Sequence, residues 1–174
     1  ILQPGGALIA GKSVEIIAQG DIINTGNIQA IEKTVIAGNN ILNRGGVITG
    51  STLTEIVAKE DILNQSGIIS GGKINLIAGR DLKNETVTST THSTALVSQQ
   101  AEIIGTDDLF IKAGRDINLA ATKVSGQDIN IVAGHNIDVG SVIHKDNQGF
   151  KNNTTQITSD ITAAGSVNIV AQND

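Results

Sequence analysis

At 174 residues, with one Pro, two Phe and no Trp, Tyr, Cys or Met, the chain has the length of one domain. It cannot pack its interior on aromatic rings, close a disulfide or use a thiolate for catalysis or metal binding. A net charge of −5 without a Lys/Arg stripe or an aromatic stacking platform excludes a nucleic-acid partner, and 39% hydrophobic against 17% charged residues excludes a disordered chain.

The apolar runs are too short for a membrane span. Twenty Gly and many β-branched residues favour short strands and tight turns over a helical bundle. The chain opens on Ile1 with neither an initiator Met nor a charged-then-apolar leader, so it reads as a piece of something longer. Absence of Cys fits an exported bacterial protein that stays unfolded during secretion.

An Ala followed two or three residues later by Asp or Asn recurs along the chain, in AQGDIIN, AGNNILN, AKEDILN, AGRDLKN, AGRDINL, AGHNIDV and a terminal AQND. The acidic or amide position falls at Asp21, Asn40, Asp61, Asp81, Asp116, Asn136 and Asp174, spaced by 19, 21, 20, 35, 20 and 38 residues. A unit of about 20 residues with two insertions accounts for all of these. Three alternating stretches are predicted in each unit. One carries Leu8, Ile28, Ile48 and Ile69. The next carries Val14, Ile16 and Ala18, and later Ile74, Leu76 and Ala78, then Ile129, Ile131 and Ala133. The third follows the acidic position, with Ile22 and Asn24, Ile41 and Asn43, Ile62 and Asn64, and Leu82 and Asn84.

Three short strands per 20 residues with no helical segment between them predict an all-β, right-handed parallel β-helix. Its coils bury continuous columns of Ile, Val and Leu against their neighbours. Seven or eight coils at ~4.8 Å each predict a rod about 35 Å long.

Asn24, Asn43, Asn64 and Asn84 share the parity of the inward Ile before them, which predicts a structural ladder of stacked amides at a corner. Leu119 and Val139 replace them later. The chain therefore divides into Asn-ladder coils (1–85), an insertion (86–100), Leu/Val coils (101–141), a second insertion (142–156) and a final coil (157–174). Asp21, Asn40, Asp61, Asp81, Asp116 and Asn136 are predicted turn caps, each accepting from a backbone N–H two residues on. The insertions leave equivalent places in the coil, so they project from one edge and could pair into a joint flap. Their side chains are free of the stack, which makes Thr90, His92, His144, Phe150 and Asn152 candidate recognition residues.

The segment GALIAGKS from Gly6 to Ser13 matches the phosphate-loop expression, but that loop needs a helix after it and VEIIAQGDI alternates as a strand. The acidic column lacks the glycine-rich pattern of calcium-binding β-rolls. His92 and His144 have no identifiable third metal ligand, and His135 stands where sister coils carry Arg80 and Arg115. A polysaccharide lyase would break the repeat with clustered unlike residues, and none do. No catalytic residue, cofactor site or metal site is assigned.

Two stretches, ALIAGKSVEIIAQGDIINTG (7–26) and IKAGRDINLAATKVSGQDINIVAGHNI (111–137), resemble the haemagglutinin repeats of bacterial two-partner secretion exoproteins. These are the filamentous haemagglutinin adhesins and the contact-dependent growth inhibition effectors. The resemblance spans essentially the whole chain. It implies a non-enzymatic shaft segment on the bacterial outer surface or secreted, exported by an outer-membrane partner and projecting an adhesive or toxin-delivery module. The alternative is an adhesin segment binding a receptor or glycan through 86–100 and 142–156. Open coil ends predict end-to-end self-association.

Overall fold

The structure, a computed structural model, describes residues 7–88, 99–148 and 151–172. Eighteen strands, numbered in chain order, and no helix lie among the described residues. After each acidic position the chain runs along a first face as a short strand: β2 (Ile22–Asn24), β4 (Ile41–Arg44), β6 (Ile62–Gln65), β8 (Leu82–Glu85), β11 (Ile117–Ala120) and β14 (Ile137–Gly140). These six stack in parallel in sequence order.

The second and third faces are covered in the early turns by long bent strands, β1 (Leu8–Ile17), β3 (Asn27–Gly38), β5 (Val47–Ala58) and β7 (Ile68–Ala78). In later turns each long strand is split in two. The second face then carries β9 (Ala101–Gly105), β12 (Thr122–Gly126) and β17 (Asp160–Ala163), and the third β10 (Leu109–Ala113), β13 (Ile129–Ala133) and β18 (Val167–Ala171). The split falls where the corner reads Thr106-Asp107-Asp108 or Gln127-Asp128, residues that favour turns over strands.

The result is a parallel β-solenoid of about six turns with about 20 residues per turn, rather than the seven or eight coils expected. At ~4.8 Å per turn it is about 30 Å long.

The interior consists of columns, each residue seated on its equivalent in the next turn. Ile36, Ile56, Leu76, Ile111 and Ile131 form one on the third face, all 0% exposed. Ile28, Ile48, Ile69, Ile103 and Val124 form another on the second face, and Ile41, Ile62, Leu82 and Ile117 a third. Each buried aliphatic side chain contributes about 1.5–3 kcal/mol, and only because a neighbouring turn covers it. Thr34 and Thr54 also lie inside. Their hydroxyls donate to the carbonyls of Thr49 and Ser70, both at 2.7 Å, which satisfies them in the apolar interior.

Register corrects the sequence alignment in two places. Leu8 pairs with Asn27 and points outward, so Ile9 rather than Leu8 heads the column of Ile28, Ile48 and Ile69. Gly38, not Ala37, stands in the small-residue column with Ala58, Ala78, Ala113 and Ala133. That turn is one residue shorter, hence the spacing of 19 between Asp21 and Asn40.

Candidate functional site

Two polar ladders and one edge carry the polar and inserted residues singled out above. The first ladder lies inside the corner between the first and second faces. Asn24 Nδ2 donates to Asn43 Oδ1 at 2.8 Å, Asn43 Nδ2 to Asn64 Oδ1 at 2.8 Å, and Asn64 Nδ2 to Asn84 Oδ1 at 2.7 Å. Each amide also donates within its own turn, to the carbonyls of Gly26, Gly46 and Gly67 at 3.1, 2.9 and 2.9 Å. Asn84 then donates to the hydroxyl of Thr122, which ends the ladder where Leu119 removes the amide.

The glycine after each amide is part of the device. A Cβ on Gly67 would sit 2.4 Å from both Asn43 Nδ2 and Asn64 Oδ1, and one on Gly46 would sit 2.4 Å from Asn24 Nδ2. Sequence reasoning passed over these glycines, although Asn followed two or three residues later by Gly recurs in NTG, NRGG and NQSG.

The second ladder runs outside, along the acidic column. Asp21, Asn40, Asp61, Asp81 and Asp116 each accept, through a side-chain oxygen, the backbone N–H of the equivalent residue one turn on, at 3.1–3.3 Å. The cap therefore links neighbouring turns instead of closing the local turn two residues on. A parallel stack brings the next turn's N–H within hydrogen-bond distance of the side-chain oxygen.

The side chain before the next turn's capping residue donates to the same carboxylate. Asn39 Nδ2 donates to Asp21, Arg80 forks onto Asp61 and Arg115 onto Asp81, with Nε to Oδ1 at 2.8 Å in both Arg pairs. The Arg80 guanidinium is the first cause holding the Asp61 carboxyl below the usual carboxylate range, and Asp61 in turn raises Arg80. Arg115 is raised first by its bond to Asp81. Asp21 is lowered without a cation, by the Asn40 amide first and then Asn39. His135 follows Arg115 in this column.

The insertions leave the same corner, and the register sets their bounds at 87–100 and 141–157 instead of 86–100 and 142–156. Ala120-Ala121-Thr122 crosses that corner without an insertion, and the register aligns it with Glu85-Thr86-Ala101 and Gly140-Thr158-Ser159. Thr86 therefore belongs to the coil. It is buried, its hydroxyl donates to the Ala121 carbonyl, and it accepts the Ala101 N–H at 2.9 Å.

The second insertion is an antiparallel hairpin, β15 (Val142–Gln148) with β16 (Lys151–Ile157), which pairs with no other strand among the described residues. The bases of the two insertions are joined by Gln100 Nε2 donating to the Thr158 carbonyl at 3.0 Å. His144 pairs with Thr155 and Asn152 with Asn147 in the hairpin register. Thr90, His92 and Phe150 lie outside the described residues.

Lys12 and Ser13 of the phosphate-loop match lie within β1, and Lys12 pairs with Glu32 at 3.1 Å on the surface. A strand there offers no helix N-terminus to a phosphate. Among the described residues no three His, Asp or Glu side chains gather as a metal-holding group.

The fold and ladders define a parallel β-solenoid whose polar columns bond turn to turn. Over 152 residues, 87% of this chain, the sequence is 32% identical to the tRNA nuclease CdiA of Escherichia coli (strain STEC_O31). The match spans 4% of that relative's length, so it concerns a small part of a far longer protein. No family model matches the chain, and no solved structure matches it.

Proposed function

We propose that the chain is a non-enzymatic shaft segment of a large secreted exoprotein of the two-partner secretion type, holding an adhesive or toxin-delivery module away from the bacterial outer surface. One observation carries this reading: along the axis the Asn column bonds to itself and the acidic column accepts the next turn's backbone N–H, so the polar groups of both columns serve the stacking of turns. Similarity to a small part of the far longer CdiA supports it. An outer-membrane transporter is the partner implied for the parent protein. The nuclease activity named for that relative is not assigned to these residues.

A second reading is favoured by the hairpin β15–β16, which stands off the stack: the insertion edge binds a receptor or glycan. The two separate when residues 87–100 and 141–157 are excised from the parent protein displayed on cells. Under the shaft reading, surface display and attachment to target cells survive. Loss of attachment with display intact overturns it in favour of the edge. Turnover of tRNA or of an acidic polysaccharide by the purified chain would overturn the non-enzymatic assignment.

A further inference from the structure

The outside of the third face carries two register-aligned columns: through the later turns the first reads Asn75, Phe110, Asn130 and Asn168, and the second Ile77, Lys112, Val132 and Val170. Phe110 is the one Phe, Tyr or Trp among the described residues. Both its partners across the ladder are amides and the interior is filled without it, so nothing in the repeat calls for a ring here. It is only partly buried. An open groove of about 590 Å³ lies over it, bounded at the corner by Lys73, Asp108, Asp128 and Ser166.

The polar groups around the ring are half engaged. Asn130 Oδ1 accepts from Asn168 at 3.1 Å and Asn75 Nδ2 donates to Glu55 at 3.4 Å, while Asn130 Nδ2 and Asn75 Oδ1 have no protein partner among the described residues. Asp128 Oδ1 takes the Ser166 N–H and hydroxyl, each at 2.7 Å, which fixes the carboxylate with Oδ2 left over. Those bonds hold its pKa below the ordinary range, so it stays an acceptor.

An apolar ring flanked by an amide donor, an amide acceptor and an oriented carboxylate matches the two sides of a sugar: C–H groups on one face, hydroxyls around the rim. From Asn75 to Asn168 the column covers three steps of ~4.8 Å, about 14 Å, which suits a linear chain rather than a single ring. Two carboxylates against one lysine, on a chain of net charge −5, disfavour an anionic polymer. The backbone of β10 is paired on both sides, by β7 and β13, so an extended peptide finds no edge to join. We propose that this groove binds a neutral linear oligosaccharide laid along the solenoid axis, one sugar ring stacked on Phe110 and its hydroxyls held by Asn75, Asn130 and Asp128. The site is separate from the insertion edge and depends on neither reading of the parent protein.

The test is titration of the isotope-labelled chain, followed by nuclear magnetic resonance, with maltohexaose, cellohexaose and mannohexaose, and with a heparin hexasaccharide as the anionic probe. At least one neutral hexasaccharide is expected to shift the β10, β13 and Asn130 side-chain signals saturably. Phe110→Tyr should keep that binding, and Phe110→Ala should weaken it about tenfold or more. Phe110→Asn, which continues the amide column, should lose binding at an unchanged melting temperature. The proposal is overturned if no neutral hexasaccharide shifts these signals, if the shifts survive in Phe110→Asn, or if only heparin binds.

Discussion

A buried amide is tolerated when its donors and acceptor are all engaged, and Asn64 meets that condition: it accepts from Asn43 and donates to Asn84 and the Gly67 carbonyl. Asn64→Ala leaves those groups unpaired in a dry corner and should cost about 3 kcal/mol, read from the urea midpoint. Gly67→Ala should match or exceed that loss, because its Cβ would occupy the amides' contact point. Asp61 provides a pH test. Its folded pKa is lowered, chiefly by Arg80, so its contribution is complete above the ordinary carboxylate range and disappears as pH falls through the lowered value. Asp61→Asn keeps an acceptor for the Asp81 N–H but loses the ion pair. At pH 7 it should cost about 0.5–1 kcal/mol, a difference that closes in acid. A deficit unchanged at low pH would rule out the ion pair as its cause. The Asn column was legible from parity alone. The Arg-to-Asp forks were not, because Arg80 and Asp61 are 19 residues apart in sequence and meet only once turns are stacked.

The elements were legible wherever period two and period 20 agreed, and misplaced where a turn gained or lost a residue, as at Ala37 and Gly38. Alternation marks the inward residues only where apolar and polar positions interleave; Ala7-Leu8-Ile9-Ala10 is apolar throughout, so its parity follows from the register and not from the sequence. The same register makes the hairpin removable. Deleting residues 141–157 joins Gly140 to Thr158 and reproduces the Ala120-Ala121-Thr122 corner. The shortened chain should keep its β-type circular dichroism and lie within about 0.5 kcal/mol of the parent in urea. Collapse to an aggregate would mean that β15 and β16 support the stack. Phe110 stands out in the sequence as the one aromatic in a column of Val, Glu and Asn, but its outward position follows only from which parity the interior takes.

Across the whole molecule, burial depends on having a neighbour. Ile9 is 46% exposed at one end of the stack and Val167 and Ile169 are 46% and 45% exposed at the other, whereas Ile36 and Ile131 in the middle are fully covered. Sedimentation should therefore show end-to-end growth with concentration, suppressed by Ile9→Lys with Ile169→Lys; a monomer at every concentration would argue against open ends.

The hydrogen bonds between turns point along the long axis, and this governs how the rod answers tension. A pull between its ends loads the outermost turn first, so turns peel away in succession instead of sliding as a block. An ordinary turn of about 20 residues pays out about 70 Å of chain, whereas the steps from Ile74 to Leu109 and from Ile129 to Val167 pay out about 120 Å or more. A solenoid built this way lengthens in graded steps under strain, and the two longer steps would mark the insertion-bearing turns in a single-molecule trace.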